Sequence, residues 1–149
     1  MNSQFKRPAR SWQRGLSMIE VLVAIVILSL GLLGMAGLQA SGLRSSQSAF
    51  YRAQAAQFAS DMAERMRANL GDARNYTLAM GASAPTGTSI KDKDRADWLA
   101  RLAMLPAGDG SIAVDNVANT VTISVQWDDT RGGGAANANY TLVTRLWNN

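Results

Sequence analysis

Residues 14–38 read RGLSMIEVLVAIVILSLGLLGMAGL, and this stretch decides the fold. From 21 to 38 it holds 18 residues without a charge. At about 1.5 Å per residue they make roughly 27 Å of helix, close to the ~30 Å hydrocarbon core of a bilayer. Extending back to Leu16 adds apolar length broken only by Ser17 and Glu20. The alternative is a secretory signal, with a shorter apolar core and a cleavage site among small residues, and 37–42 does contain small residues. The unbroken length favours a retained membrane helix.

Upstream, Lys6, Arg7, Arg10 and Arg14 stand in a segment of 15 residues without an acid. Such an arm keeps the N-terminus cytoplasmic and sends the rest of the chain across the membrane. The whole chain has 15 Lys and Arg against 11 Asp and Glu, a formal charge of +4, with a pI near 10.0. Four of the bases belong to the arm, so the chain beyond Gly15 is balanced at eleven of each sign. From Gly71 onward there are seven bases and eight acids, and no direct nucleic-acid binding is expected.

Glu20 is the anomaly of the apolar stretch. A carboxylate costs on the order of ~3 kcal/mol near the bilayer centre and less near a helix end. Two readings stay open. The side chain snorkels to the headgroups from one turn into the helix, or a positive group on another molecule reaches it. A free α-amino group, created by a cut just upstream, would serve.

The run Arg14-Gly15-Leu16-Ser17-Met18-Ile19-Glu20-Val21-Leu22 resembles the processing site of type IV prepilins and type II secretion pseudopilins. The resemblance implies that a prepilin peptidase cuts between Gly15 and Leu16 and N-methylates Leu16. Residues 1–15 are then a cleaved basic leader, and 16–38 a transmembrane and filament-core helix. Glu20 becomes the fifth mature residue, where the family carries its glutamate, while Leu16 stands where most members have phenylalanine. In a filament of staggered helices the amine of one subunit would face Glu20 of another, favouring correct axial register. A low-dielectric surrounding strengthens such a pair.

The helix is expected to continue through 39–70 as an amphipathic rod. Ala59, Met62, Ala63, Met66 and Leu70 follow the i, i+3, i+4, i+7, i+11 stripe. Asp61 lies four before Arg65 in the favourable order, and Asn69-Leu70-Gly71 reads as a helix end. Residues 16–70 would span about 80 Å if straight. Gly31, Gly34 and Gly37 each weaken the helix by about 1 kcal/mol relative to Ala. They either permit close helix packing or local unwinding, or are the ordinary small residues of membrane helices. Phe50, Tyr51 and Phe58 read as packing residues.

Residues 71–149 read as a globular head. Segment 71–90 is a turn-rich loop with Gly71, Gly81, Pro85 and Gly87. Residues 92–105 (DKDRADWLARLAML) place Trp98, Leu99, Leu102 and Leu105 at helical spacing before Pro106. Strands are expected over 111–114, 120–127 and 140–147, with a turn at 115–119 and a loose loop at 128–139. The second strand alternates Val121, Ile123, Val125 and Trp127 with polar residues, as a half-buried strand does. The resemblance implies an α+β, type IV pilin-like layout, a long helix packed on a small antiparallel sheet.

Histidine and cysteine are both absent, which excludes Ser-His triads, Cys nucleophiles, Cys/His metal sites and disulfides. Asp128-Asp129 reads as a strand-end turn rather than a calcium or catalytic pair. No Lys-Ser/Thr follows Gly132-Gly133-Gly134, so this is an exposed flexible loop and not a phosphate cradle. No catalytic residue, metal or cofactor is expected, and a membrane-tethered enzyme is the disfavoured alternative.

Two further stretches narrow the resemblance. Residues 61–69 (DMAERMRAN) are similar to the end of the long helix in PilV-type minor pilins, also called type IV pilus modification proteins. Leu105-Pro106 with Gly108 and Gly110, then 121–129 (VTISVQWDD), are similar to their strand region. The resemblance implies a minor pilin that primes assembly or sits at the pilus tip. Its partners would be other minor pilins, the major pilin, a tip adhesin and the inner-membrane assembly platform. It would support twitching motility, adhesion or DNA uptake. The precursor would cross the inner membrane once, head in the periplasm, before joining the pilus at the cell surface. The alternative is a minor pseudopilin of a type II secretion system, with the same anchor and head.

Overall fold

A helix of 51 residues, α1 (Met18–Ala68), opens the fold. Ser17 caps it, accepting the Ile19 N–H at 3.3 Å on its hydroxyl and those of Glu20 and Val21 at 2.9 and 3.2 Å on its carbonyl. The structure, a computed structural model, describes residues 17–146. Gly15, Leu16, the four leader bases and Trp147 lie outside the described residues. The chain divides into two compact units, Met1–Gln39 and Ala40–Asn149.

In the first unit every described residue is exposed. A helix apolar on all sides has no face to turn toward water, so it requires lipid or other helices. α1 is long and apolar enough to cross a membrane, and none of its most apolar window is buried within the protein. The only hydroxyl of that run, on Ser29, donates to the Ile25 carbonyl at 2.7 Å, which satisfies it inside the helix. A Cβ added at Gly31, Gly34 or Gly37 meets nothing within 4 Å in this chain.

In the second unit Ala55, Ala59, Met62, Ala63 and Met66 form the buried face of α1. The helix ends at Ala68, short of the expected Leu70. The Asn69 N–H is shared between the carbonyls of Arg65 and Met66, both at 3.2 Å, and the chain then turns. Leu70 therefore leaves the stripe and is 50% exposed. Segment 71–90 is more than a covering loop. It contains a 3-10 turn (Ala73–Asn75) and contributes Ala73, Tyr76 and Leu78 to the core.

Helix α2 (Ile90–Leu102) begins and ends earlier than expected. Ser89 is the cause at the N-terminus: its hydroxyl accepts the Asp92 N–H at 3.3 Å. Leu105 lies beyond the helix but stays buried, held by a turn in which its N–H reaches the Leu102 carbonyl at 2.9 Å.

Three antiparallel strands follow in the order β1-β2-β3: β1 (Asp109–Asp115), β2 (Thr120–Trp127) and β3 (Ala138–Arg145). The register sets Ile112 opposite Ile123 and Ile123 opposite Leu142. The β1–β2 turn is fixed by Asp115, whose carboxylate accepts the N–H groups of Val117 and Ala118 at 2.8 and 2.9 Å. β2 matches its expected span. β3 starts two residues before its own, because Ala138 already pairs with Trp127.

One face of this sheet supplies Ile112, Val121, Ile123, Val125 and Trp127 to a single core with the α1 stripe and with Trp98 and Leu102 of α2. Trp98 Nε1 donates to the Phe58 carbonyl at 2.9 Å, which ties α2 to α1. Close approach of α2 to β1 requires Gly110, where a Cβ would collide with Trp98 Cη2 and lie 2.6 Å from Leu102 Cδ1. Tyr51 and Phe58 pack against the core as expected. Phe50 does not, being 62% exposed. A long helix, a short helix and a three-stranded antiparallel sheet make the α+β, type IV pilin-like arrangement expected from the sequence.

Candidate functional site

Glu20 lies in the first turn of α1, beside the positive end of the helix dipole, and is exposed. Among the described residues no Lys or Arg forms an ion pair with it. Glu20 borders a shallow, almost wholly apolar groove of about 300 Å³ with Val21, Ala24, Ile25 and Leu28. One acid is thus set into an otherwise apolar helix face, with nothing of this chain's described residues to neutralise it.

The polar residues of the second unit are organised differently. Arg65 bridges Asp61 at 3.0 Å and Asp94 at 3.3 Å, and Arg101 also reaches Asp61 at 3.3 Å. Tyr76 donates to Asp94 Oδ2 at 2.6 Å and accepts from Asn69 Nδ2 at 3.0 Å. Burial, and then the bond to Asp94, push the Tyr76 hydroxyl up to about 12. These groups tie the end of α1 to α2 and to segment 71–90. They are paired with one another and present no reactive group.

Asp128 and Asp129 have separate roles. Asp128 accepts the Thr130 N–H at 2.9 Å, a turn that holds its carboxyl below the usual range. Asp129 is 3% exposed and takes a hydrogen bond from Ser48 at 2.5 Å. Its Oδ1 is buried without a protein donor. Of the glycine run, Gly133 and Gly134 are exposed as expected and Gly132 is half-buried. The run is shaped by Asp129: a Cβ on Gly132 would stand 2.6 Å from Asp129 Oδ1 and 2.9 Å from Ser48 Cβ. A groove of about 430 Å³ runs past these residues, with Arg44 and Arg52 on its α1 side. Nothing in the local sequence marks Asp129 as buried. Among the described residues, no group of three or more His, Cys, Asp or Glu is placed to hold a metal ion.

Two family models match the chain. Residues 13–36 match the prokaryotic N-terminal methylation motif. Residues 37–96 match a family described as Type IV pilin Tt1218. The first match covers the cleavage expectation, Glu20 and the apolar part of α1. The second covers the remainder of α1, segment 71–90 and the first half of α2. No curated protein and no solved structure matches. The two matches support a type IV pilin made as a prepilin, and the methylation motif implies processing by a prepilin peptidase in a membrane setting.

Proposed function

We propose that this chain is a minor pilin, similar to the PilV type, which takes part in initiating type IV pilus assembly at the pilus tip. The observation that carries this reading is the first unit of α1. A fully exposed apolar stretch of helix bears Glu20 one turn in, without an ion pair among the described residues and within residues matching the methylation motif.

The chemistry follows in order. Lys6, Arg7, Arg10 and Arg14 hold the leader in the cytoplasm. The peptidase cuts between Gly15 and Leu16, and the new Leu16 amine, methylated by the same enzyme, keeps its positive charge. Residues 16–38 anchor the mature chain in the inner membrane with its head in the periplasm. On assembly this helix exchanges lipid for neighbouring helices, and Glu20 takes up a subunit amine. Desolvating Glu20 alone would be costly, whereas desolvating it as a pair offsets that cost, so helices in the wrong register are disfavoured. The head contributes contacts rather than catalysis. Its partners are other minor pilins, the major pilin, a tip adhesin and the inner-membrane assembly platform, in support of twitching, adhesion or DNA uptake.

N-terminal mass spectrometry of the protein from its native host tests the processing. A mature start at Leu16, with or without one methyl group, is expected. An uncut Met1, or a start beyond residue 38, overturns it. Recovery in sheared pili, rather than with a secretion complex, tests the assignment to the pilus.

A further inference from the structure

We propose that the groove between α1 and the β2–β3 loop binds the phosphate of an anionic lipid headgroup through Arg44 and Arg52. That the phosphate belongs to a lipid rests on the membrane anchoring proposed above; the groove itself is read from the structure.

The groove begins where the core ends. Ala55, Ala59, Met62, Ala63 and Met66 are the buried face of α1. Followed back at helical spacing, the same face carries Ser41, Arg44, Ser45, Ser48 and Arg52, at i, i+3, i+4, i+7 and i+11. All five line the groove of about 430 Å³, together with Asp129 and the glycine run of the loop. The bond from Ser48 to Asp129 joins its two walls. Where the core covers this face of the helix it is apolar, and where the face is left open it is polar and basic.

Charge selects the ligand. Between residues 21 and 60 the charged side chains are Arg44 and Arg52, and the first acid after Glu20 is Asp61. Both arginines are exposed, and neither forms an ion pair among the described residues. Arg65 and Arg67, farther along the same helix, each pair with an acid. The acid of the groove, Asp129, is 3% exposed and has one oxygen engaged by Ser48. Two open guanidinium groups therefore stand against one enclosed carboxylate, which favours an anion. The planar donors of arginine match phosphate oxygens, and the Ser41 and Ser45 hydroxyls add further donors.

Position in the chain names the source. Arg44 is six residues beyond Leu38, the end of the apolar run, which is about 9 Å of helix. The headgroup layer reaches about 5–8 Å past the hydrocarbon on each side. Helical side chains lean toward the helix N-terminus, here the membrane end, so the Arg44 guanidinium is carried back toward the phosphates. Leu43 and Phe50, 73% and 62% exposed, accompany the two bases, a mixture suited to a headgroup boundary. Arg52, two turns on, adds attraction at the far end of the groove.

Native mass spectrometry of the full chain in detergent, titrated with phosphatidylglycerol or with phosphatidylcholine, tests this. The unaltered chain should bind one phosphatidylglycerol about 25-fold more tightly than phosphatidylcholine, roughly fivefold for each arginine. Arg44→Gln with Arg52→Gln should abolish the preference, Arg44→Gln alone taking the larger share, and Arg145→Gln on β3 should keep it. Equal binding of the two lipids, or an unchanged preference in the folded double variant, overturns the site. Inorganic phosphate that displaces phosphatidylglycerol at equal concentration assigns the groove to free phosphate and overturns the lipid. Chain released from host membranes by alkaline extraction overturns the anchoring. Chain that resists extraction and binds both lipids alike overturns the groove alone. The lipid comparison uses the unaltered chain, so it decides even where the double variant does not fold.

Discussion

Ser48 donates its hydroxyl to Asp129 Oδ2 at 2.5 Å, joining α1 to the β2–β3 loop across 81 residues of sequence. The carboxylate is 3% exposed and its other oxygen has no protein donor. Gly132 and Gly134 close around it, since a Cβ on Gly134 would stand 2.9 Å from Asp129 Cβ and nearer still to the carboxylate. One hydroxyl and a side-chain-free loop therefore hold a buried acid in place.

Ser48→Ala leaves that acid without its protein hydrogen bond. Hydrogen bonds to charged groups contribute roughly 1.5–3 kcal/mol, and an orphaned buried acceptor costs the full desolvation penalty. The thermal midpoint of the detergent-solubilised chain should fall accordingly. The double variant Ser48→Ala with Asp129→Ala should recover part of the loss, because no buried acceptor is then left without its donor. Equal midpoints for Ser48→Ala and the parent would show that the bond carries no stability.

Gly110→Ala should destabilise the second unit by overpacking. Its Cβ would meet Trp98 and Leu102, both fully buried and unable to swing out. Insertions into a packed core cost typically about 1–3 kcal/mol. Gly71→Ala is the control, with nothing within 4 Å of the added carbon. Denaturant midpoints of the two variants should diverge, Gly110→Ala falling and Gly71→Ala staying close to the parent.

Alkaline stability should depend on Tyr76. In the unfolded chain a tyrosine loses its proton near pH 10, whereas in the fold Tyr76 holds it to about 12. Between those values the folded state binds more protons, so stability falls as pH rises. Below pH 10 the contribution is fully present. Tyr76→Phe has no proton to lose, so its stability should decline less steeply between pH 10 and 12. Identical slopes for the two chains would remove Tyr76 as the cause.

The parts legible in the sequence are those whose signal is local and long. An apolar run of 18 residues and the strict alternation of β2 leave one conformation each that satisfies backbone and solvent together. Tyr76 and Leu78 were hidden because they sit among turn residues, and their burial depends on Asp94 and Ile112 elsewhere in the chain. Asp129 was hidden for the same reason, since two acids before a glycine run look alike whether the turn is exposed or closed by Ser48. Leu70 kept the helical spacing but not the helix, which ends once Asn69 bonds to Tyr76 and the chain turns. Glu20 stood out because a single charge in an apolar run is anomalous without any knowledge of the fold.

The last prediction concerns that charge. With no ion pair to Glu20 among the described residues, altering the side chain breaks no ion pair among them. Glu20→Ala and Glu20→Gln should therefore leave membrane insertion intact, measured by resistance to alkaline extraction. Assembly is different under the proposed function, because a neighbour's amine entering an apolar filament core would then find no carboxylate, and an unpaired buried charge costs about 3–5 kcal/mol. Both variants should fall at least roughly tenfold in sheared pili, a small fraction of what that energy allows. Equal loss for Ala and Gln would place the effect on the charge rather than on side-chain size, and normal incorporation of either would remove Glu20 from assembly.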